Sequence, residues 1–224
     1  MEKINRSLDE ALNFQSRYCY NESNVLINKL NIHDQKTLDK AERNITALML
    51  MKLQLNPIPN PKELFSVEYF INLHKQVFEY IYSFAGTIRK ENMVKGNTPF
   101  CRPDFIYKYL VMLFDKIFDD VKKIKTKDDI VNFLSYYYSE LNIIHPFREG
   151  NGRIMREYLR QLVIFINQYL DLDYELDFSN VTDEDKDNLI NGSITSAMNG
   201  DLELLNKFFD SVLKSRETIK EHQI

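Results

Sequence analysis

Residues suited to phosphate chemistry are concentrated in one short stretch of the chain, His145–Arg156, which reads HPFREGNGRIMR. Gly150 and Gly152 lie in it, although the 224 residues include only six glycines. A helical pattern stops just before this stretch and another resumes within it, which predicts a tight turn leading into a helix N-terminus. Such an N-terminus presents free backbone N–H groups and the positive end of the helix dipole. The pattern therefore predicts an anion site, where glycines let the backbone come close to a phosphate.

The charged residues of the stretch are of complementary types. Arg153 and Arg156 lie one helical turn apart, so both guanidinium groups can reach a phosphate chain from the same face. Glu149 is a hard oxygen ligand that suits Mg²⁺ beside that chain. His145 can take a proton from a nucleophile near neutral pH. Two structural alternatives stay open at this point: a capping histidine, and a first-turn acid that only complements the helix dipole.

The elements that must position this stretch are predicted to be helices. Apolar residues recur at helical spacing in two stripes next to it: Phe133, Tyr137, Leu141 and Ile144 before it, and Leu159, Leu162, Val163 and Ile166 after it. Thr37–Leu55 reads as a further helix with a leucine- and methionine-rich face. The fold class expected is all-α.

The chain length predicts one well-buried domain. The organisation expected is a single domain over 1–224, with an N-terminal helical segment 1–55, a proline-rich linker 56–61 and a core 62–215. The linker NPIPNP must interrupt any helix. The polar segment Ser179–Asp187 is expected to start a helix, with Thr182 or Ser179 as its cap.

One segment breaks the helical pattern. Gly86–Pro103 reads GTIRKENMVKGNTPFCRP and contains two glycines, two prolines and several residues tolerated in strands. This composition predicts a loop with a short hairpin.

Composition excludes several function classes. A formal net charge of −4 argues against a dedicated DNA or RNA binder. The two cysteines and four histidines are too scattered to predict a zinc site or a disulfide framework. No apolar run reaches the roughly 18 residues that a membrane span needs, and the N-terminus lacks the apolar region of a secretory signal. A cytoplasmic location without a membrane partner is expected.

The stretch at His145 resembles the signature of the Fic family, HPFx(D/E)GNGRxxR, and matches it at every defined position. The resemblance implies protein adenylylation, in which AMP passes from Mg-ATP to a hydroxyl side chain of another protein. Relatives of the Doc type, which phosphorylate instead, carry lysine at the position of Gly152. The glycine found here favours attack at the α-phosphate.

The resemblance also implies a role for each motif residue. His145 would be the catalytic base, Glu149 would hold Mg²⁺, and Phe147 would anchor the loop in the core. The nucleotide-binding residues implied are Gly150, Asn151, Gly152, Arg153 and Arg156.

Segments outside the motif resemble the family as well. Ile88–Cys101 is similar to the flap, a hairpin that holds the target peptide by β-augmentation. The flap residues expected to meet the target are Lys95, Gly96, Asn97, Thr98 and Phe100. Tyr18–Leu38 resembles the entry segment of the bacterial effector and toxin branch, and Ala197–Leu205 resembles a closing helix.

Regulation is expected to come from outside the chain. Many family members carry an inhibitory helix with the pattern (S/T)xxxE(G/N), whose glutamate pairs with the second motif arginine, Arg156 here. Thr87–Asn92 matches this pattern but lies in the non-helical approach to the flap, so we interpret it as a decoy. A small antitoxin-like protein would then supply the glutamate; the alternative is an unregulated enzyme.

The target is not encoded in any motif. Related stand-alone toxins modify type II topoisomerases and injected relatives modify host GTPases, so a bacterial topoisomerase is the expectation for a toxin-like chain. Two other functions stay open: a kinase-like or other nucleotide transfer, and a catalytically silent interaction module.

Overall fold

The computed structural model describes residues 16–95 and 98–216, and within these ranges the fold is predominantly helical. The helices are α1 Gln35–Gln54, α2 Pro61–Leu64, α3 Val67–Phe78, α4 Pro103–Phe114, α5 Ile117–Val121, α6 Lys127–Ile144, α7 Asn151–Leu170, α8 Asp183–Asn199 and α9 Glu203–Val212. The strands are β1 Val94–Lys95, β2 Thr98–Pro99, β3 Tyr174–Leu176 and β4 Leu213–Ser215. The predicted all-α class with a short hairpin is confirmed.

Helices α6 and α7 form the hairpin that carries the motif. α6 starts at a capping box, in which Thr126 accepts from the backbone of Asp129 and Asp129 accepts in return. It ends at His145, whose backbone is left-handed with φ 45°. α7 starts after Gly150, and both helices bury an apolar face against the core. The predicted turn between two helices is therefore present, and the packing of α6 on α7 positions it.

An aromatic cluster packs against the turn from the side of the core. Phe70 of α3 contacts the rings of Phe114, Phe147 and Tyr158 at centroid distances of 5.5, 5.6 and 5.1 Å. Phe70, Phe147 and Tyr158 are fully buried. The motif loop is thus fastened to α3, α4 and α7 together, because one ring of the loop lies in the middle of the core.

Three helices begin at residues that general capping rules favour. Asp34 caps α1 by accepting from the backbone N–H of Thr37, so this helix begins two residues before the predicted start. Asn60 caps α2, and Pro61 is its first residue, where a missing N–H costs no hydrogen bond. Thr182 caps α8 through a capping box with Asp185, as predicted.

Two short ladders complete the fold. In the flap, β1 pairs antiparallel with β2, with Val94 opposite Pro99 and Lys95 opposite Thr98. A second ladder pairs β3 with β4 and was not predicted, since three residues are too few to show alternation.

The C-terminal end differs from the expected closing helix over Ala197–Leu205. α8 ends there, Gly200 turns with φ 77°, and α9 begins at Glu203. In the parts of the chain that the structure covers, no helix combines the length and the apolar character needed to cross a membrane.

Candidate active site

His145 lies at the end of α6, where its imidazole is held in the neutral form. Its pKa is lowered to about 3, mainly by burial and also by the nearby cations Arg89, Lys95 and Arg148, whereas the backbone carbonyl of Asn142 acts in the opposite direction. A buried imidazole surrounded by cations loses its proton because a further positive charge is poorly solvated there. The ring is therefore neutral at neutral pH, with one nitrogen unprotonated, which the predicted role of a base requires.

The flap touches this histidine directly. Phe100 stacks on the ring of His145, with centroids 3.7 Å apart and planes inclined by 11°. Of the other predicted flap residues, Lys95 pairs with Thr98 in the ladder and is near enough to act on the His145 pKa. Gly96 and Asn97 lie outside the described residues. The structure thus brings Phe100 and Lys95 to the base, while their contact with a target stays a prediction.

The side chain of Asn151 closes the motif loop. Its Oδ1 accepts from the backbone N–H of Phe147 at 2.9 Å, and its Nδ2 donates to the Phe147 carbonyl at 2.8 Å. Phe147 is fully buried, so its predicted role as an anchor is confirmed. Because the Asn151 amide is engaged within the loop, a contact between this residue and a nucleotide is expected from its backbone N–H group.

His74 of α3 is a supporting residue that the sequence analysis missed. Its Nδ1 accepts from the backbone N–H of Gly86 at 2.8 Å, which leaves Nε2 to donate to the Glu149 carbonyl at 3.0 Å. Its ring stacks on Phe147 at 3.9 Å, and burial lowers its pKa to about 4. The available signal was a histidine among the apolar positions of the segment that forms α3, for which no helix was predicted.

The two motif glycines serve different purposes. Gly150 has φ 82°, and a Cβ on it would meet the Phe78 ring at 2.2 Å. This glycine is therefore required by the core. A Cβ on Gly152 would have only Arg156 Nη1 within 4 Å, at 3.3 Å, so the outer side of this glycine is open. The N-cap Gly150 has no side chain to bond the first turn of α7, and those N–H groups can face an anion.

Glu149 presents its carboxylate at the same N-terminus. It accepts from the backbone N–H of Gly150 at 2.8 Å and from Arg153 Nη2 at 3.3 Å, and its side chain is 39% exposed. Burial raises its pKa, and the carboxylate of Glu42 raises it further. The carboxylate is thus exposed enough to reach a cation and has a negatively charged neighbour that favours one.

Arg153 is held by residues of α1, which lie far from it in the sequence. Nη2 pairs with Glu42 of α1, and Nη1 donates to Thr46 Oγ1 at 3.1 Å. The guanidinium lies 4.9 Å from the centroid of the Phe78 ring, a favourable cation–π geometry. Glu42 also accepts from the hydroxyl of Tyr82. Sequence reasoning missed Glu42 and Thr46. Their spacing of four residues, which places them on the same face of α1, was the available signal.

Arg156 differs from Arg153 in its surroundings. Within residues 16–95 and 98–216 it forms no ion pair. Burial lowers its pKa, while Tyr138 raises it and Arg153 lowers it further. Arg160, one turn further on, pairs with Glu157 at 2.8 Å, as expected of a structural residue. Arg156 is therefore the motif arginine whose charge is available to a ligand.

The decoy segment Thr87–Asn92 is not helical. Its glutamate, Glu91, accepts from Ser16 Oγ at 2.6 Å and from the backbone and Nε of Arg17 at 2.9 and 3.0 Å. Its carboxylate thus binds the two residues that precede the entry segment, Ser16 and Arg17, rather than Arg156.

A groove of about 720 Å³ lies between the flap and α8, and one of its lining residues is Phe100, which stacks on His145. The flap contributes Lys95 and Phe100, and α8 contributes Ile190, Ile194 and Met198. These α8 residues are exposed, so the groove offers apolar surface beside Phe100.

Comparison with known proteins identifies the family. The model of the Fic/DOC family matches residues 64–163. "Probable protein adenylyltransferase Fic" of Escherichia coli (strain K12) is 28% identical over 88% of this chain and 91% of that protein. "Probable protein adenylyltransferase y4lH" of Sinorhizobium fredii is 32% identical over 68% of this chain and 78% of that protein. The chain therefore belongs to the Fic/DOC family, whose relatives named here are nucleotidyltransferases.

Solved structures share the fold. The N-terminal Fic domain of a VirB-translocated Bep effector from Bartonella quintana superposes with a TM-score of 0.75 at 20% identity, covering 94% of this chain and 97% of that one. BepC from Bartonella tribocorum, solved with bound AMPPNP, gives a TM-score of 0.75 at 20% identity and covers 91% of this chain and 99% of that one.

Proposed function

We propose that this chain is a protein adenylyltransferase that transfers AMP from Mg-ATP to a Ser, Thr or Tyr hydroxyl of a target protein. One observation carries the proposal: a neutral histidine stands directly before an uncapped helix N-terminus that also bears two arginines. The naming of the relatives as adenylyltransferases and the AMPPNP bound to BepC support the same assignment.

The reaction uses the residues as follows. His145 accepts the proton of the target hydroxyl while the hydroxyl oxygen attacks the α-phosphorus of ATP. The bond from the α-phosphorus to the oxygen that bridges to the β-phosphate breaks, so AMP stays on the protein and pyrophosphate leaves. The first-turn N–H groups of α7 and the Arg156 guanidinium stabilise the charge on the phosphate oxygens.

Mg²⁺ fits the residues present. Glu149 offers one exposed carboxylate beside the predicted phosphate site. Among the described residues no group of three or more His, Cys, Asp or Glu side chains could hold a metal, so other ligands must come from phosphates and water. Mg²⁺ is commonly bound in this way, by one or two carboxylates together with substrate phosphates. When bound, it supplies neutralisation of phosphate charge.

A label-transfer assay tests the reaction. The purified chain is incubated with Mg²⁺, bacterial lysate and ATP labelled at either the α- or the γ-phosphate. We expect protein label from α-labelled ATP only, and none with the His145→Ala variant. Label from γ-labelled ATP would assign the chain to the kinase-like alternative. Absence of label from both, with purified topoisomerase included, would contradict the proposal.

We further propose that the activity is toxin-like, cytoplasmic and restrained by a small antitoxin-like protein whose glutamate binds Arg156. The support is that Arg156 forms no ion pair in the described part of the chain, and that Glu91 is engaged by Ser16 and Arg17. Glu91→Gly is the test. The variant should label targets no faster than the wild type, and a strong increase would show that inhibition is internal.

A type II topoisomerase is the target proposed for a toxin-like enzyme in the bacterial cytoplasm. Purified gyrase and topoisomerase IV are added separately to the α-labelled reaction. The expected result is label on a subunit of one of these two enzymes, and no label with His145→Ala. Labelling of other lysate proteins in preference to both would overturn this choice of target and leave the reaction itself intact.

A further inference from the structure

Arg89 is a buried cation that lies outside the motif. It is 1% exposed, among the most buried large side chains of the protein. Burial lowers its pKa to about 10, and no carboxylate is among the groups that act on it. A charged side chain in such a place needs many hydrogen bonds, because the cost of removing it from water must be offset.

Its guanidinium donates to backbone carbonyls from two separate parts of the chain. On the flap side, Nη1 donates to Glu91 at 2.6 Å and Nη2 donates to Cys101 at 2.5 Å. On the motif side, Nε donates to the carbonyl of His145 at 2.7 Å, and Nη2 also reaches that of Ile144 at 3.4 Å. The two flap residues lie on opposite sides of the hairpin, one before β1 and one after β2.

The main chain of Arg89 adds a further link, since its N–H donates to the Pro146 carbonyl at 2.9 Å. The carbonyls of Ile144 and His145 belong to the C-terminal end of α6, where the helix dipole favours a cation. Only a planar group with several fixed donors can bond both parts at once.

The flap depends on such a link because its own ladder is minimal. β1 and β2 contain two residues each, and an isolated two-stranded hairpin is marginally stable at best. Yet Phe100 of the flap lies 3.7 Å from the ring of His145, which requires a fixed distance between the flap and the end of α6.

We propose that Arg89 is a positioning residue that fastens both sides of the flap to the turn bearing His145, so that the docked target and the base are held as one unit. The coupling follows from the contacts alone, whereas its benefit to catalysis rests on the proposed function. The same guanidinium, with Lys95 and Arg148, supplies the positive charge that faces the His145 ring.

NMR of the histidine side chains tests the coupling without any target. The chain has four histidines, so ¹³C-labelled histidine gives few signals, and His145→Ala assigns the signal of interest. Stacking on Phe100 shifts the His145 signal by ring current, and Phe100→Leu measures this shift. We expect Arg89→Met to lose most of the same shift and to raise the pKa of His145. Arg89→Lys should keep the pKa of His145 low and still lose part of the ring-current shift, because a lysine ammonium cannot bond the flap and the end of α6 at the same time.

The signal of His74, stacked on Phe147, serves as an internal check of the fold. Arg102→Met is the matched control, because it removes a 70% exposed arginine at the end of the flap and should leave the His145 signal unchanged. An unchanged His145 shift in Arg89→Met, with the His74 signal intact, would overturn the proposal. If Arg89→Met does not fold, an unchanged shift in Arg89→Lys has the same meaning.

The consequence for activity is measured separately. Arg89→Lys should lower α-label transfer at least tenfold while binding Mg-AMPPNP with the affinity of the wild type, because Arg89 contacts none of the predicted phosphate ligands. A loss of transfer that is matched by a loss of AMPPNP binding would contradict a positioning role. If the NMR result is as expected but even the wild type transfers no label, the coupling stands and the proposed function fails.

Discussion

Gly150 shows how a single residue serves both the core and the site. Its left-handed backbone ends the motif loop, and its bare Cα lets the Phe78 ring fill the space where a Cβ would stand, 2.2 Å away. Phe78 in turn supports the guanidinium of Arg153. The conformation of the loop is therefore tied to the position of a predicted phosphate ligand.

Gly150→Ala should be strongly destabilising, because the methyl group adds a clash with Phe78 to the strain of a left-handed alanine. Gly200→Ala is the matched control, since Gly200 has φ 77° but no atom within 4 Å of the added methyl. We expect a loss of about 1 kcal/mol for the control and roughly 3 kcal/mol or more for Gly150→Ala. Equal losses in urea unfolding would show that Phe78 moves aside without cost.

The low pKa of His145 predicts a pH-dependent stability. The folded state holds the ring neutral down to a pKa of about 3, whereas the unfolded chain takes up a proton near the ordinary value of 6.5. The unfolded state thus binds more protons between these values, so the wild type should lose stability as the pH falls below 6.5.

His145→Ala lacks this protonation and isolates it. Between pH 7.5 and pH 5.5 the wild type should lose about 1 kcal/mol more than the variant. Urea unfolding of both proteins at the two pH values measures the difference. Parallel losses in the two proteins would mean that the ring is protonated in the folded state.

At the scale of elements, α1 acts as a brace for α7. Its buried face presents Leu38, Glu42 and Thr46, and the two polar residues of this face bind Arg153. The Glu42 carboxylate is 11% exposed, and its burial is tolerated because it pairs with Arg153 and accepts from the Tyr82 hydroxyl. α1 thereby fixes the direction in which the first motif arginine points.

Glu42→Ala should destabilise the protein by on the order of 2 kcal/mol, because Arg153 keeps its charge and loses its main partner. Asp39→Ala is the control on the same helix, an exposed acid that bonds only Gln35 in the described residues. Its effect should stay within about 0.5 kcal/mol. Thermal unfolding measures both, and similar values for the two variants would show that the brace is dispensable.

The contiguous motif explains why so much of the site could be predicted. The end of one strongly periodic helix, the turn after it and the first turns of the next helix carry the base, the acid and both arginines within twelve residues, so spacing alone brings them together. The supporting residues Glu42, His74 and Arg89 come from distant segments. Glu42 and Arg89 each lie among other charged residues and His74 lies on a buried helix face, and no local pattern states which backbone or side chain each of them will meet.

In the whole molecule, the supporting residues Glu42, His74 and Arg89 act on the motif together. Three elements contact the motif: α3 through His74 at the loop, α1 through Glu42 at Arg153 of α7, and the flap approach through Arg89 at the end of α6. The loop is therefore fixed before a nucleotide arrives. Nucleotide binding then requires little further ordering of the protein, so little entropy is lost. The free charge of the site is concentrated on Arg156 and on the half-exposed Glu149.

A preformed site predicts that nucleotide binding stabilises the whole fold. Mg-AMPPNP at a concentration 100 times its Kd should stabilise the wild type by about 2.7 kcal/mol. Chelation of Mg²⁺ with EDTA should remove much of this gain, because the phosphates then meet the Glu149 carboxylate without a cation between them.

Glu149→Gln separates the metal from the nucleotide. The variant should bind AMPPNP with a much smaller dependence on Mg²⁺, since an amide is a weaker ligand than a carboxylate and does not repel the phosphates. Glu63→Gln, at an exposed acid of α2, should behave as the wild type does with and without EDTA. Melting temperatures of the three proteins, measured with and without Mg²⁺, provide the comparison. An equal dependence on Mg²⁺ in Glu149→Gln and the wild type would place the metal on the phosphates alone and remove Glu149 from its ligands.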